Sequence, residues 1–198
     1  MANIINLKTD QKELEERIKA MTEYKKQHGE WPVLPEAPWM KDSLQMSNGA
    51  TAMFINILCL SGGTLAKTDS QKRLMVFLAE CNQSVYGRGT VGFDIVDMPW
   101  DKDTFDEDKE FMLKVIDGAK HKSGWDKLCY IPNEENAAYY LDKFRILIEK
   151  MTRDDVVEDV LTEWCKDAEE EYPAWRDFRL CEKHNAYIGT HGCQVCTD

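Results

Sequence analysis

The sequence SNGATAMFINILCL runs from Ser47 to Leu60 and contains the longest apolar stretch of the chain, which includes Asn56. A helix through this stretch is apolar on every side, which is typical of a helix buried at the centre of a domain. Ser47 is a suitable N-cap, and Ser61-Gly62-Gly63 is expected to end the helix. The stretch is shorter than the roughly 18 apolar residues of a membrane span. It therefore predicts the core of a globular domain and no membrane partner.

Five other segments repeat apolar residues at helical spacing, as helices packed around a central one would. Capping residues precede them, with one capping box beginning at Thr104 and another at Thr152. Two short extended pieces, Thr90 to Val96 and Leu128 to Ile131, can pair as a small β-hairpin. We therefore predict a mainly α fold, a bundle of about six helices with room for one small hairpin. The five segments are Gln11 to Gln27, Asp69 to Tyr86, Phe105 to Lys122, Glu134 to Met151 and Arg153 to Glu171.

The domain organisation follows from length and composition. A chain of 198 residues with 43% hydrophobic content can bury one sizeable core. We predict a helical domain over residues 1–175 and a C-terminal zinc-binding module over residues 176–198, docked on it. The N-terminal residues MANIINLK lack the charged and then apolar pattern of a secretion signal, which makes a cytoplasmic location the expectation.

The seven cysteines fall into two groups. An odd number without a secretion signal argues against a disulfide framework. Cys59, Cys81, Cys129 and Cys165 are far apart among apolar neighbours, and we expect all four to be small buried hydrophobic residues. The remaining three lie within 16 residues at the C-terminus, beside two of the four histidines.

The C-terminal stretch CEKHNAYIGTHGCQVC holds a candidate metal site formed by Cys181, His184, Cys193 and Cys196. Two intervening residues within each pair let both side chains reach one tetrahedral ion. Four protein ligands close the coordination shell, which predicts a structural Zn²⁺ and no catalytic metal. His191 is the alternative fourth ligand in place of His184. The motif resembles a minimal zinc ribbon or zinc knuckle over these 16 residues, and the resemblance implies structure and not activity.

Charge is concentrated near one predicted helix. The net charge is −11, which argues against general nucleic-acid binding because that function needs a basic face. Residues 154–171 contain nine carboxylates and one lysine, a net charge of −8, and residues 101–110 form a second acidic run. A solvated helix face is one interpretation of the first run, and a surface for a basic partner is the other. The residues predicted to bind that partner are Asp155, Asp159, Glu163 and Glu170.

Motifs of known chemistry are absent or misplaced. The glycine pattern GRGTVG at residues 87–92 follows a predicted helix and precedes an extended piece, which is the wrong order for a dinucleotide site. No nucleophile–base pattern is visible. We therefore predict no catalytic residues and no bound organic cofactor.

Two classes of function are compatible with these observations. The first is an acidic protein that binds and inhibits a basic macromolecular partner, in the manner of an immunity protein or a phage-encoded inhibitor. The second is an enzyme whose site is assembled from residues distant in sequence, or else a zinc-containing adaptor subunit. Localised acid and the lack of catalytic motifs favour the first class, and a cleft with a perturbed carboxylate or histidine would favour an enzyme.

Overall fold

The computed structural model describes residues 3–6, 43–83, 89–170 and 173–196, together with Lys19, Glu23 and Lys26. Within these ranges the chain is mainly helical, as predicted, and none of its helices has the length and apolar character needed to cross a membrane. The elements in chain order are β1 (Asn3–Asn6), β2 (Ser43–Met46), α1 (Asn48–Leu65), α2 (Asp69–Cys81), β3 (Phe93–Asp94), α3 (Phe105–Lys120), α4 (Glu134–Lys150), α5 (Glu158–Glu170) and α6 (Pro173–Arg176).

Helix α1 is the centre of the fold. Residues 53–63 are buried without a break, as the apolar sequence predicts, and the Ser47 hydroxyl accepts a hydrogen bond from the Ala50 N–H at the N-terminus. The prediction that Ser61-Gly62-Gly63 ends this helix is wrong, because α1 continues to Leu65. Both glycines lie where other parts of the chain approach the helix closely. A Cβ at Gly62 would overlap the end of the Met75 side chain, which would have to shift to admit it.

Helices α2, α3 and α4 surround α1. Thr68 and Asn133 are the N-caps of α2 and α4, and the side chain of each accepts a hydrogen bond from a backbone N–H of its helix. The predicted capping box at Thr104 is wrong, because its hydroxyl bonds the buried Asp108 carboxylate at 2.8 Å and caps no backbone N–H. Helix α2 ends at Cys81 and not at Tyr86, and Tyr86 itself lies outside the described residues.

The predicted hairpin is wrong. Phe93–Asp94 pairs in parallel with β1, which also pairs antiparallel with β2, so the sheet order is β2-β1-β3. Leu128 to Ile131 forms bends and no strand. Its extended sequence pattern reflects partial burial instead, with Leu128 packed against the core and Ile131 exposed. Strand β3 pairs with a distant segment, and local sequence cannot report such a partner.

The acidic helix begins later than predicted. Thr152 and Asp155 do form a capping box, but it caps the start of a 3₁₀ turn at Arg153–Asp155 and not of an α-helix. Val156 then adopts an extended backbone and is buried in the core, so the chain bends before α5 starts at Glu158. Helix α5 keeps Trp164 and Ala168 buried.

Two further expectations have different outcomes. Five of the six predicted helices fall within the described ranges and correspond to α1 to α5, whereas Gln11 to Gln27 lies almost wholly outside the described residues. Cys59 and Cys81 are buried, but Cys129 and Cys165 are exposed, so the expectation that all four cysteines are buried is wrong for two. Cys129 lies in the bent segment and Cys165 on the outer side of α5.

The C-terminal segment packs directly on α1 and α2. Cys181, Ala186, Tyr187, Cys193 and Val195 belong to the same buried cluster as the helices. At Gly63 the fit allows no side chain, because a Cβ there would overlap the backbone carbonyl of Asn185. The predicted division at residues 175 and 176 therefore separates two stretches of sequence that share one hydrophobic core.

We expect Gly63→Ala to lower the free energy of unfolding by about 1–3 kcal/mol, because backbone on both sides of the contact must move. Gly49→Ala is the matched control in the same helix, since a Cβ there would meet nothing within 4 Å. This control is expected to be neutral or stabilising by up to about 1 kcal/mol. Urea unfolding of both variants measures the difference, and equal midpoints would contradict the close contact.

Candidate functional site

The four predicted metal ligands converge at one point. The ligand atoms of Cys181, His184, Cys193 and Cys196 all lie within 4.8 Å of one another. The three sulfur atoms lie 3.5, 3.5 and 3.4 Å from Nδ1 of His184. The sulfur atoms of Cys181 and Cys196 are 3.9 Å apart. The cluster is therefore geometrically compatible with binding one metal ion.

These distances fit tetrahedral coordination of one metal ion. With bonds of about 2.3 Å for Zn–S and about 2.05 Å for Zn–N, tetrahedral neighbours are about 3.8 Å apart for two sulfurs and about 3.6 Å apart for sulfur and nitrogen. The measured separations of 3.9 Å and of 3.4–3.5 Å agree with these values. Tetrahedral sulfur and nitrogen ligands are typical of zinc in proteins.

Two equivalent turns present the ligands. The backbone N–H groups of Lys183 and His184 bond the sulfur of Cys181. Two and three residues after Cys193, the N–H groups of Val195 and Cys196 bond its sulfur in the same way. Each turn therefore directs one sulfur inward and stabilises negative charge on it, as a thiolate ligand requires.

A short backbone-paired segment joins the two turns. Leu180 and Tyr187 form an antiparallel bridge, and Gly189 and Gly192 exchange two backbone hydrogen bonds around a tight reversal. Gly192 has φ +98°, a conformation that favours glycine. This reversal brings Cys193 and Cys196 back to the first pair.

The ionisation of the ligands couples metal binding to protons. Burial lowers the pKa of His184, and the positive charges of Lys183 and Lys127 lower it further. Its imidazole is therefore neutral, and the lone pair of Nδ1 can coordinate a metal ion. Burial raises the pKa of Cys193 to about 12 and also raises that of Cys196. Burial opposes ionisation of Cys181 too, but hydrogen bonds led by the His184 N–H bring its pKa below the ordinary value. Metal binding at neutral pH must therefore release protons.

His191 lies outside the cluster. It occupies the tight reversal between Gly189 and Gly192, where its side chain is half-buried, and the four converging residues include His184. Among the described residues, the geometry thus distinguishes the two histidines that the sequence left as alternatives.

Contacts that the sequence did not predict hold the C-terminal segment to the helices. Lys127 donates to the backbone carbonyl of His184 at 3.1 Å. The Glu80 carboxylate accepts hydrogen bonds from the Thr190 N–H and from Nε1 of Trp175, the latter at 3.0 Å. No short-range signal could have identified these partners, because Glu80 lies 95 and 110 residues before them.

The predicted partner-binding residues belong to residues 154–171, which we call the acidic segment. Asp155, Asp159 and Glu163 are exposed, whereas the side chain of Glu170 lies outside the described residues. Asp155 is not on the helix as predicted, because its carboxylate accepts two hydrogen bonds from Thr152 in the preceding 3₁₀ turn. Asp155 therefore has a structural role in that turn.

The two acidic runs differ in how their charge is compensated. Asp101 pairs with Arg73 at 3.5 Å, Asp106 with Arg153 at 2.7 Å, and Glu110 with Lys114 at 2.7 Å, so three of the six carboxylates in residues 101–110 have a basic partner. In the later run Glu158 pairs with Lys102 at 3.1 Å. Within the described ranges, no lysine or arginine forms an ion pair with Asp159, Glu163 or Asp167.

An aromatic groove borders the acidic helix. Its volume is about 420 Å³, and its walls come from α2, the residues around β3, α5 and α6. The groove was not predicted, because its lining is drawn from segments between residues 77 and 175. The rings are Phe77, Phe93, Trp164 and Trp175, and the carboxylates are Glu80, Asp97, Glu163 and Asp167. Among these lining residues there is no lysine or arginine.

A second unpredicted feature is the buried carboxylate of Asp108. Burial raises its pKa, and hydrogen bonds from Ser70 and Thr104 partly offset that effect. Asp108 is only 1% exposed and lines neither the groove nor the other described pockets. It therefore joins α2 to the start of α3 within the core.

Comparison of the chain with protein-family models, with curated proteins and with solved structures gives no match.

Proposed function

We propose that this protein is a zinc-stabilised binding protein that acts on a basic macromolecular partner through the exposed acidic segment around α5. The observation that carries the proposal is the row of carboxylates at Asp159, Glu163 and Asp167. They recur every four residues on one side of α5 and form no ion pair within the described residues. Carboxylates arranged in this way attract a cationic surface and raise its association rate.

Zinc has a structural role in this proposal. Three cysteines and one histidine fill a tetrahedral shell, leaving no open position for water or substrate. Bound as three thiolates and a neutral imidazole, Zn²⁺ would form a site of net charge −1. The ion would hold the two turns together and keep the C-terminal segment on α1.

A binding role is also favoured over catalysis by the placement of the perturbed groups. Asp108 has a raised pKa but lies in the core, and His184 has a lowered pKa but lies in the metal cluster. Inhibition of the partner is the simplest consequence of covering its basic surface, as an immunity protein or a phage-encoded inhibitor does.

Purified protein is expected to contain about one equivalent of zinc per chain, measured by elemental analysis without added metal. Cys196→Ser and His184→Asn should each reduce zinc to below a tenth of an equivalent under mild chelation. Their matched controls, Cys129→Ser at an exposed cysteine and His191→Asn, should retain it. Retention of zinc by His184→Asn together with its loss from His191→Asn would contradict the ligand assignment.

Chelation is expected to release the C-terminal segment while most helical signal remains. Helices α1 to α4 pack on one another, whereas the four ligands lie within residues 181–196. Structural zinc contributes about 10 kcal/mol or more to small isolated modules, and here that energy acts mainly on the C-terminal segment. Far-UV circular dichroism measures the helical content, and limited proteolysis measures release of the segment. Loss of most helical signal would show that the metal supports the whole core.

The proposed partner surface is tested by charge reversal. A variant carrying Asp154→Lys, Asp159→Lys and Glu163→Lys leaves the capping residue Asp155 intact. Immobilised protein should capture a basic protein from native lysate, released by roughly 0.5 M salt, and the variant should bind it roughly tenfold less tightly or worse.

The control for this experiment reverses three exposed acids elsewhere, Asp103→Lys, Glu107→Lys and Glu135→Lys, with the same change in net charge. It should bind as the original protein does. If both triple variants retain full affinity and salt dependence, the acidic segment is only a solvated surface.

A further inference from the structure

We infer that the groove between α2, α5 and α6 is the docking site for an arginine-containing segment of the basic partner. This inference rests on the proposed function and narrows the partner surface to the groove, which two described carboxylates of the acidic segment, Glu163 and Asp167, line. The volume of about 420 Å³ lies within the range of roughly 300–1,000 Å³ that is common for ligand sites.

The walls of the groove are aromatic. Trp164 and Trp175 stack with centroids 5.1 Å apart and planes 16° from parallel, while Phe77 and Phe93 meet edge to face at 5.3 Å. Val91 is exposed at the rim, with 48% of its surface accessible. Such walls favour a flat or apolar side chain, and an indole ring attracts a cation over its face.

The charges of the groove select a cation. The described lining carboxylates Glu80, Asp97, Glu163 and Asp167 sum to a formal charge of −4, and none of the described lining residues is basic. Glu163 and Asp167 are exposed and one helical turn apart, so one cationic group can reach both. They lie beside the aromatic walls of the groove, where a bound segment would displace water and so strengthen a charge pair.

Glu80 differs from the α5 carboxylates because it is already hydrogen-bonded within the protein. Its carboxylate accepts hydrogen bonds from Nε1 of Trp175 and from the Thr190 N–H, and Trp175 also donates to the Thr190 hydroxyl at 2.9 Å. Glu80 is thus a positioning residue that holds the indole wall against the C-terminal segment. Asp97 likewise accepts a hydrogen bond from the Asp94 N–H at 3.3 Å. Glu163 and Asp167 are therefore the carboxylates that meet the ligand.

Arginine fits this combination better than lysine. Its guanidinium group is planar, stacks on aromatic rings and donates several hydrogen bonds in a fixed fork that suits carboxylates. An ammonium group is a compact, strongly hydrated charge that makes less use of flat walls. We therefore expect an extended segment with arginine and neighbouring apolar residues to dock, its arginine between the indoles and the α5 carboxylates.

The test uses a fluorescein-labelled nine-residue peptide with alternating arginine and leucine, compared with versions carrying lysine or glutamine in place of arginine. Binding to the full-length zinc-loaded protein is measured by fluorescence anisotropy. The arginine peptide should bind most tightly and the glutamine peptide most weakly. Tight binding of the glutamine peptide would overturn the inference, since the groove would then accept any apolar segment.

Three conservative double variants, each removing two negative charges, locate the binding site. Glu163→Gln with Asp167→Asn alters the groove and should weaken binding of the arginine peptide roughly 5- to 10-fold. Asp154→Asn with Asp159→Asn alters the acidic segment outside the groove. Asp103→Asn with Glu135→Gln alters exposed acids elsewhere, and both control pairs should change affinity by less than about twofold.

The outcomes separate the inference from the proposed function. Equal weakening by the first two pairs, with none from the third, would overturn the groove and leave the acidic segment as a general cationic surface. Equal effects of all three pairs, or no binding, would overturn both. As a second measurement, the indole N–H resonances of Trp164 and Trp175 should shift on peptide addition, and unchanged resonances would contradict docking against the indole wall.

Discussion

The burial of α1 on all sides is the constraint on which the rest of the structure depends. Eleven consecutive residues, 53–63, are buried, so other elements must cover every side of this helix. Helices α2, α3 and α4 cover most of it, and the C-terminal segment covers the end that contains Gly62 and Gly63. Even the polar Asn56 is satisfied inside, donating to the Tyr130 hydroxyl at 3.2 Å and accepting from Asn82 at 2.9 Å.

The metal cluster and the groove are connected through this packing. The ligand turns position residues 189–192, and Thr190 in that reversal bonds both Glu80 and Trp175. An ion that fixes the C-terminal segment would therefore also support one wall of the groove. The proposed metal would then act on the proposed partner surface only through the position of side chains.

Counting charges along the sequence treats two acidic runs as alike, but the structure separates them. Cations from α2, from α3 itself and from the 3₁₀ turn before α5 reach the run at residues 101–110, and Asp108 within it is buried. On α5, Asp159, Glu163 and Asp167 are exposed without an ion pair in the described ranges. Electrostatic attraction toward a partner depends on this compensation more than on the number of acids.

The sequence by itself determined the features that arise from neighbouring residues. Helical periodicity identified α1 to α5, and two-residue spacing identified Cys181, Cys193 and Cys196 as converging ligands, because both depend on the geometry of a few consecutive residues. Tertiary structure decided the continuation of α1 through its glycines, the pairing of β3 with β1, the choice between His184 and His191, and the exposure of Cys129 and Cys165. It alone assembled the groove, whose walls come from positions as far apart as Phe77 and Trp175. These features are set by contacts between segments distant in sequence, and a local pattern carries no information about which distant surface will cover it.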